Sequence, residues 1–234
     1  MKQLNIFCEG QTEQGFCTQV LQPQLFPQGD GLIHTLAVGE KDHHHLYGLG
    51  TRKKYTGDKG VRKFIHNTIK HRQGSNVYFT TLFDLYALPN DFPGKGANTR
   101  NAANPTPYVV ALEEAFGIDI NYHRFIPNLV LHEYETILFA DPDAFRVSFE
   151  NCDEEVQALK EIARSERTIE HIDDGRETAP SKRIIDVFGE DCYRGMKASA
   201  GPDIAAAIGL TKIRAACPHV DSWLKQLEAI PWET

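Results

Sequence analysis

The constraint that most narrows the fold of this chain is the alternation of strand-like and helix-like segments up to Glu135. In 3-QLNIFCEG-10 the apolar residues at 4, 6 and 8 alternate while Phe7 fills the opposite face, the pattern of a strand covered on both sides. Gly10 breaks that run. From Thr12 to about Leu25, residues Phe16, Val20, Leu21 and Leu25 recur at helical spacing, with Pro23 limiting the regularity of the end. A second strand is expected over 32-LIHTLAVG-39, then a polar loop rich in histidine and glycine, then a helix over 58-DKGVRKFIHNTIKH-71 with Asp58 as its cap. The third strand, 76-NVYFTTLFDLY-86, leads through the turn-rich 88-LPNDFPGKG-96 to a helix over 105-PTPYVVALEEAFG-117, proline early and glycine just past its end. A fourth buried strand is expected over 124-RFIPNLVLHEYE-135. Strands alternating with helices imply an α/β domain: an open, mainly parallel sheet of about four strands flanked by helices.

The segments 154-EEVQALKEIARS-165, 180-PSKRIIDVFG-189, 203-DIAAAIGL-210 and 219-HVDSWLKQLEAI-230 each carry helical periodicity between glycine and proline punctuation. They form a helical extension, residues 146–234, expected to pack onto the core of residues 1–145 as one unit, because no flexible linker separates them. With 234 residues, 41% of them hydrophobic, the chain can bury one sizeable core. Its apolar runs fall far short of the roughly 20 residues of a membrane span, and the N-terminus lacks the apolar core of a secretory signal. Five cysteines (Cys8, Cys17, Cys152, Cys192, Cys217) without C-x-x-C spacing suggest neither a disulfide framework nor a zinc ribbon. A cytoplasmic protein with no membrane partner is the expectation.

Ligands of open parallel sheets bind at the carboxyl ends of the strands, which gives weight to the acids there. Glu9 closes the first strand, Asp84 stands near the end of the third, and Glu133 and Glu135 follow the fourth; Glu13, in the first helical turn, can point back at the same crevice. An acid ending an apolar run such as 77-VYFTTLF-83 should be paired or metal-bound if buried. Glu13 is equally accounted for as an acid favoured at a helix N-terminus, and Glu133 and Glu135 as a solvated strand-to-helix transition. Converging carboxylates suit Mg2+ or Mn2+, hard ions that take one or two protein carboxylates and keep waters or phosphate oxygens, and such ions serve phosphodiester chemistry.

The net charge of −7 is the opposite of a broad nucleic-acid-binding footprint, yet a local basic rim could meet phosphates. The candidates are 52-RKK-54, Lys59, Arg62, Lys63, Lys70 and Arg72, which read equally well as a solvated helix face. Lys182 sits at a helix start where its charge gains nothing from the helix dipole, so a phosphate or carboxylate partner would explain it. The run His43-His44-His45 reads as a loop, since consecutive imidazoles cannot all face one ion. Asp141 and Asp143 read as turn and capping residues.

The segments 8-CEGQTE-13, 84-DLYALPNDFPG-94, 132-HEYETILFADP-142, 173-DDGRETAPSKRI-184 and 217-CPHVDSWLKQL-227 resemble, in order and over nearly the whole chain, the domain-of-unknown-function 4276 family. That resemblance implies a Toprim-like layout related to the nuclease half of overcoming-lysogenization-defect proteins, encoded beside an AAA-type ATPase in bacterial defence loci. It implies Glu9 and Glu13 as paired acids, Asp84 as the first acid of D-x-D, Glu135 with Glu133 as further acids, and Lys182 as the basic residue near the phosphate. Tyr86 stands where the second Asp of the general pattern belongs, and a phenol is a poor magnesium ligand at neutral pH.

The expected function is a metal-dependent endonuclease acting on DNA or tRNA. Glu9, Glu13, Asp84 and Glu133 would hold the metal, Glu9, Glu135 and Lys182 would act in catalysis, and the ATPase would be a partner, with a homodimer as a further possible assembly. The chain carries no G-x-x-x-x-G-K-[ST] phosphate loop of its own. The competing expectation is a Toprim-like docking or regulatory module for that ATPase.

Overall fold

The computed structural model describes residues 1–38, 41–42, 45–46, 54–98, 101, 104–165, 168–172 and 178–233; of 41–42 and 45–46 it describes the backbone. Strands β1 (Lys2–Cys8), β2 (Gly31–Ala37), β3 (Lys41–Asp42), β4 (His45–Leu46), β5 (Val77–Asp84), β6 (Phe125–Ile126) and β7 (Leu129–Val130) form two sheets. The main sheet runs β2-β1-β5-β6, with β7 also on β5, and every neighbouring pair is parallel. The α/β sheet expected from the sequence is therefore present, with five strands instead of about four. An antiparallel pair, β3 with β4, stands within the stretch expected to be a loop, while His43, His44, Arg52 and Lys53 lie outside the described residues.

Both faces of the sheet are covered, as a parallel sheet requires. Leu4, Ile6, Cys8, Tyr78 and Leu82 belong to one core, whereas Phe7, Val77, Phe79 and Phe83, at alternating positions, belong to the other. The second core is closed by α3 (Val61–Arg72) and α4 (Thr106–Ile120). The first takes α1 (Gln11–Phe16) and the helices beyond residue 145: α5 (Asp153–Ser165), α6 (Pro180–Phe188), α7 (Glu190–Ile208), α8 (Leu210–Ala216) and α9 (Pro218–Glu228). Ile204, Trp223 and Ile230 share that core with Leu4, and the indole N–H of Trp223 donates to Thr80 Oγ1 at 2.9 Å, so the C-terminal helices are seated directly on the central strand.

Several local expectations are corrected. The fourth strand is broken: β6 and β7 flank Pro127 and Asn128, and only these two short pieces pair with β5. Proline offers the ladder no N–H, and Thr81 takes over, its hydroxyl accepting from Asn128 N at 2.9 Å and donating to Asn128 O at 2.7 Å. Beyond β7 the chain turns into a 3-10 segment, Tyr134–Ala140. Asp58 does not cap α3; Gly60 holds the N-cap position and Asp58 pairs with Lys63 at 2.6 Å. The helix expected to stop at Gly117 runs on to Ile120 and ends at Asn121, whose φ of 49° supplies the left-handed turn. The segment 203–208 is the end of the longer α7, with Pro202 inside it.

Helix α1 continues through a π-helical turn, Cys17–Leu21, into a short α2 (Gln22–Leu25). Pro23 would crowd the carbonyl four residues before it, and the wider turn relieves that. The opposite side of α1 is locked to α7. A methyl group added at Gly15 would lie 2.4 Å from Cγ of Pro202, and one at Gly201 would lie 2.8 Å from Cγ2 of Thr12. Gly15→Ala gains about 1 kcal/mol of helix propensity but sets a Cβ against a ring that cannot rotate away, a fault that costs about 1–3 kcal/mol. A net loss of stability is expected in denaturant unfolding; an unchanged or raised midpoint would show that α1 and α7 are not held this closely.

Candidate functional site

Parallel strands that end together bring the residues following them to one edge. Glu9 follows β1, Asp84 is the last residue of β5, and Glu133 and Glu135 follow β7. Glu13 lies in the first turn of α1. All five are buried, Glu133 and Glu135 with no exposure at all. A ladder of hydrogen bonds ties them to the backbone of neighbouring segments. Glu9 Oε1 accepts from Asp84 N at 2.7 Å, and Asp84 Oδ1 accepts from Tyr134 N at 2.9 Å. Glu13 Oε2 accepts from Gly10 N at 2.8 Å, and Glu133 Oε1 accepts from Ser181 N at the start of α6. Glu135 Oε1 takes the Lys197 ammonium at 2.7 Å and the Tyr193 hydroxyl at 3.5 Å.

Backbone conformation contributes to this placement. His132, immediately before Glu133, is buried with φ of 68°, a conformation that a non-glycine residue adopts at a cost of about 1–3 kcal/mol. Its Nε2 lies 3.0 Å from the carbonyl oxygen of Glu170. The turn delivers Tyr134 N to Asp84 and Glu133 to α6.

The cluster carries strong mutual repulsion. Burial, followed by the charges of Glu9, Glu13, Glu133 and Glu135, pushes the Asp84 carboxyl well above its usual range. Burial and then the Glu135 charge raise Glu133, and burial raises Glu13 against the opposing pull of its hydrogen bonds. Two buried oxygens, Glu133 Oε2 and Glu135 Oε2, have no hydrogen-bond partner. An unsatisfied buried acceptor costs about 1–3 kcal/mol, and more when charged, so these oxygens fit a proton or a cation. The set is all carboxylate oxygen, the chemistry a hard divalent ion requires. Among the described residues, however, no three His, Cys, Asp or Glu side chains converge as a ligand set, because each carboxylate is turned towards an amide or ammonium of the chain itself.

The acids singled out in the sequence thus gather at one edge of the sheet without forming a ligand set among the described residues, and the lysine expected beside them does not join them. Lys182 is exposed on the first turn of α6, and the ammonium paired with the cluster is that of Lys197 on α7. Lys197 stands in 195-GMKASAGP-202, four residues before Gly201, and the packing of α7 against α1 and against Tyr134, whose hydroxyl donates to Gly201 O at 3.2 Å, brings it to the acids. Partial burial and the charges of Glu133 and Asp84 raise the phenol of the half-exposed Tyr86, so it stays protonated and is no anionic ligand. Asp141 serves as the turn residue expected, its Oδ1 accepting from Asp143 N at 3.2 Å.

A separate buried strut lies elsewhere in the fold. Both carboxylate oxygens of Glu170 accept from His219 N at the start of α9, at 3.1 and 3.0 Å. His219 Nε2 lies 3.0 Å from Glu113 Oε1, which also accepts from Leu129 N at 2.8 Å. Burial lowers the His219 imidazole, but the Glu113 hydrogen bond and the charges of Glu113 and Glu170 outweigh it and raise the group. The strut joins α4, β7 and α9, and it meets the acid cluster through the Glu170 carbonyl on His132.

Fold and site together define an α/β protein with a buried carboxylate cluster at the carboxyl edge of a parallel sheet. The chain belongs to the family described as Domain of unknown function (DUF4276), which matches residues 8–228. Comparison with curated proteins and with solved structures finds no match.

The raised carboxyls set the sign of a pH dependence. Their folded values lie above the ordinary 3.8 of Asp and 4.5 of Glu, so their contribution to stability is complete below those values and is lost as pH rises through the folded ones. In chelator-treated protein the melting temperature is expected to fall as pH is raised from about 5 to about 8. His219, also raised, acts in the same direction. Asp84→Asn keeps the acceptor for Tyr134 N and removes a repelled charge, so it should melt higher than wild type at pH about 8 with a flatter pH profile. A destabilised Asp84→Asn at that pH contradicts the electrostatic account.

Proposed function

We propose that the chain is a Toprim-like, magnesium- or manganese-dependent nuclease that cleaves phosphodiester bonds of DNA or RNA. The observation that carries this reading is the pair of partnerless, fully buried oxygens, Glu133 Oε2 and Glu135 Oε2, within a cluster of five acids. Glu9, Glu13, Asp84 and Glu133 would hold the ion, and Glu135, whose Oε2 is equally without a partner, would complete the set. Bound there, it would activate the attacking nucleophile and offset charge on the attacking and leaving oxygens. Glu9 or Glu135 would orient the nucleophile and take its proton. Lys182, next to the Ser181 whose N–H Glu133 accepts, would meet the phosphate from the rim. Lys59, Arg62, Lys63, Lys70 and Arg72 are all exposed on or beside α3 and would attract the polymer despite the net charge of −7. Phosphate contacts carry no base information, so DNA and RNA, tRNA included, fit equally.

Family resemblance supports the biological setting: an antiphage effector in the cytoplasm, working with a neighbouring AAA-type ATPase. A second reading, a docking or regulatory module for that ATPase, is favoured by the carboxylates' attachment to the chain's own amides and by the lack of a convergent ligand set among the described residues.

Incubation with Mn2+, plasmid DNA and total tRNA tests the choice. Wild type is expected to cut one of the polymers, and Glu9→Gln and Asp84→Asn to lose that activity by about 100-fold or more. Undiminished cutting by both variants overturns the assignment. Absence of cutting and of Mn2+ binding, together with a stable complex with the ATPase, supports the docking module.

A further inference from the structure

Lys197 stands apart from every role assigned above. Its Nζ lies 2.7 Å from Glu135 Oε1, on a carboxylate wholly shielded from solvent, while its own side chain is 35% exposed. Burial works against its charge, but the charges of Glu135, Glu133 and Asp84 outweigh that and hold the ammonium above its ordinary value. Positions four apart share a helix face. Tyr193, Lys197 and Gly201 follow that spacing, and all three turn to the site: the Tyr193 hydroxyl meets the same Glu135 oxygen, and Gly201 lies against Thr12, the residue before Glu13. The contact that seats α7 on α1 thus also aims the ammonium at the acids.

We infer that Lys197 is the resident counter-ion of the acid cluster, positioning Glu135 through a direct ion pair and competing with a divalent cation for that carboxylate. The competition rests on the metal-dependent reading and deepens it, because the fold itself then sets how readily the ion enters. A divalent cation drawing on Glu135 meets a like charge already held there, whereas the protein without the ion relies on that charge to offset its repelling acids. Loss of the ammonium should therefore have opposite effects on two quantities: lower stability without metal and tighter metal binding. A lysine with a merely structural role would change the first alone.

The full-length chain and its Lys197→Met and Lys197→Arg variants provide the test, through melting temperature in chelator and Mn2+ binding followed by electron paramagnetic resonance. Lys197→Met is expected to melt several degrees lower than wild type in chelator and to bind Mn2+ about tenfold or more tightly; Lys197→Arg, keeping the charge, stays close to wild type in both. If Lys197→Met does not fold, Lys197→Gln, a neutral donor to Glu135, serves in its place. Equal Mn2+ affinity in wild type and the neutral variant overturns the competition and leaves the metal reading intact. Mn2+ bound by none of the proteins overturns the metal reading and the competition with it. An unchanged melting temperature in the neutral variant overturns the counter-ion role.

Discussion

Carboxylates are among the most strongly hydrated groups in a protein, and here five of them are withdrawn from water at one edge of a sheet, with Lys197 ion-paired to one of them. Such an arrangement costs stability unless each charge meets a proton, a donor or a cation. The chain meets part of the cost with backbone amides. Asp84 N goes to Glu9, Tyr134 N to Asp84, Gly10 N to Glu13 and Ser181 N to Glu133. Those bonds simultaneously join β1, β5, the segment after β7 and α6. The structure that confines the charges is therefore held together by them, and the two oxygens left over mark where the compensation is incomplete.

Everything that places this cluster follows from keeping the sheet parallel and both its faces covered. Equal strand direction puts Glu9, Asp84 and Glu133 at the same edge. The left-handed turn at His132 and the close approach of α1 to α7 at Gly15 and Gly201 are local costs that are repaid by geometry, the first directing Glu133 inward and the second bringing Lys197. Natural proteins tolerate such locally unfavourable features where function requires them. In the proposed metal-dependent reading, the lysine ion-paired to Glu135 is also what an entering cation would contend with.

Much of this was legible in the sequence, for identifiable reasons. Alternation in 3-QLNIFC-8 and 77-VYFTTLF-83 marks strands covered on both faces, so the acids following them could be assigned to one edge. What was not legible depends on tertiary contact. Thr81 substitutes for the ladder around Pro127, which no local pattern in 124-RFIPNLVLHEYE-135 announces. Asp58 precedes a helix as a cap would, but Lys63 is its partner. Lys182 stands at a helix start and drew attention by its charge; Lys197, in the middle of a helix, reaches the acids through glycine-mediated packing between elements far apart in the chain.

Anomalous diffraction from crystals grown with Mn2+ addresses the central claim that this cluster is a cation site. The account predicts a peak among Glu9, Glu13, Asp84, Glu133 and Glu135, about 2 to 2.5 Å from carboxylate oxygens that include Glu133 Oε2 or Glu135 Oε2. A map without a peak there, in which Lys197 remains on Glu135 and both oxygens stay without a partner, would contradict it.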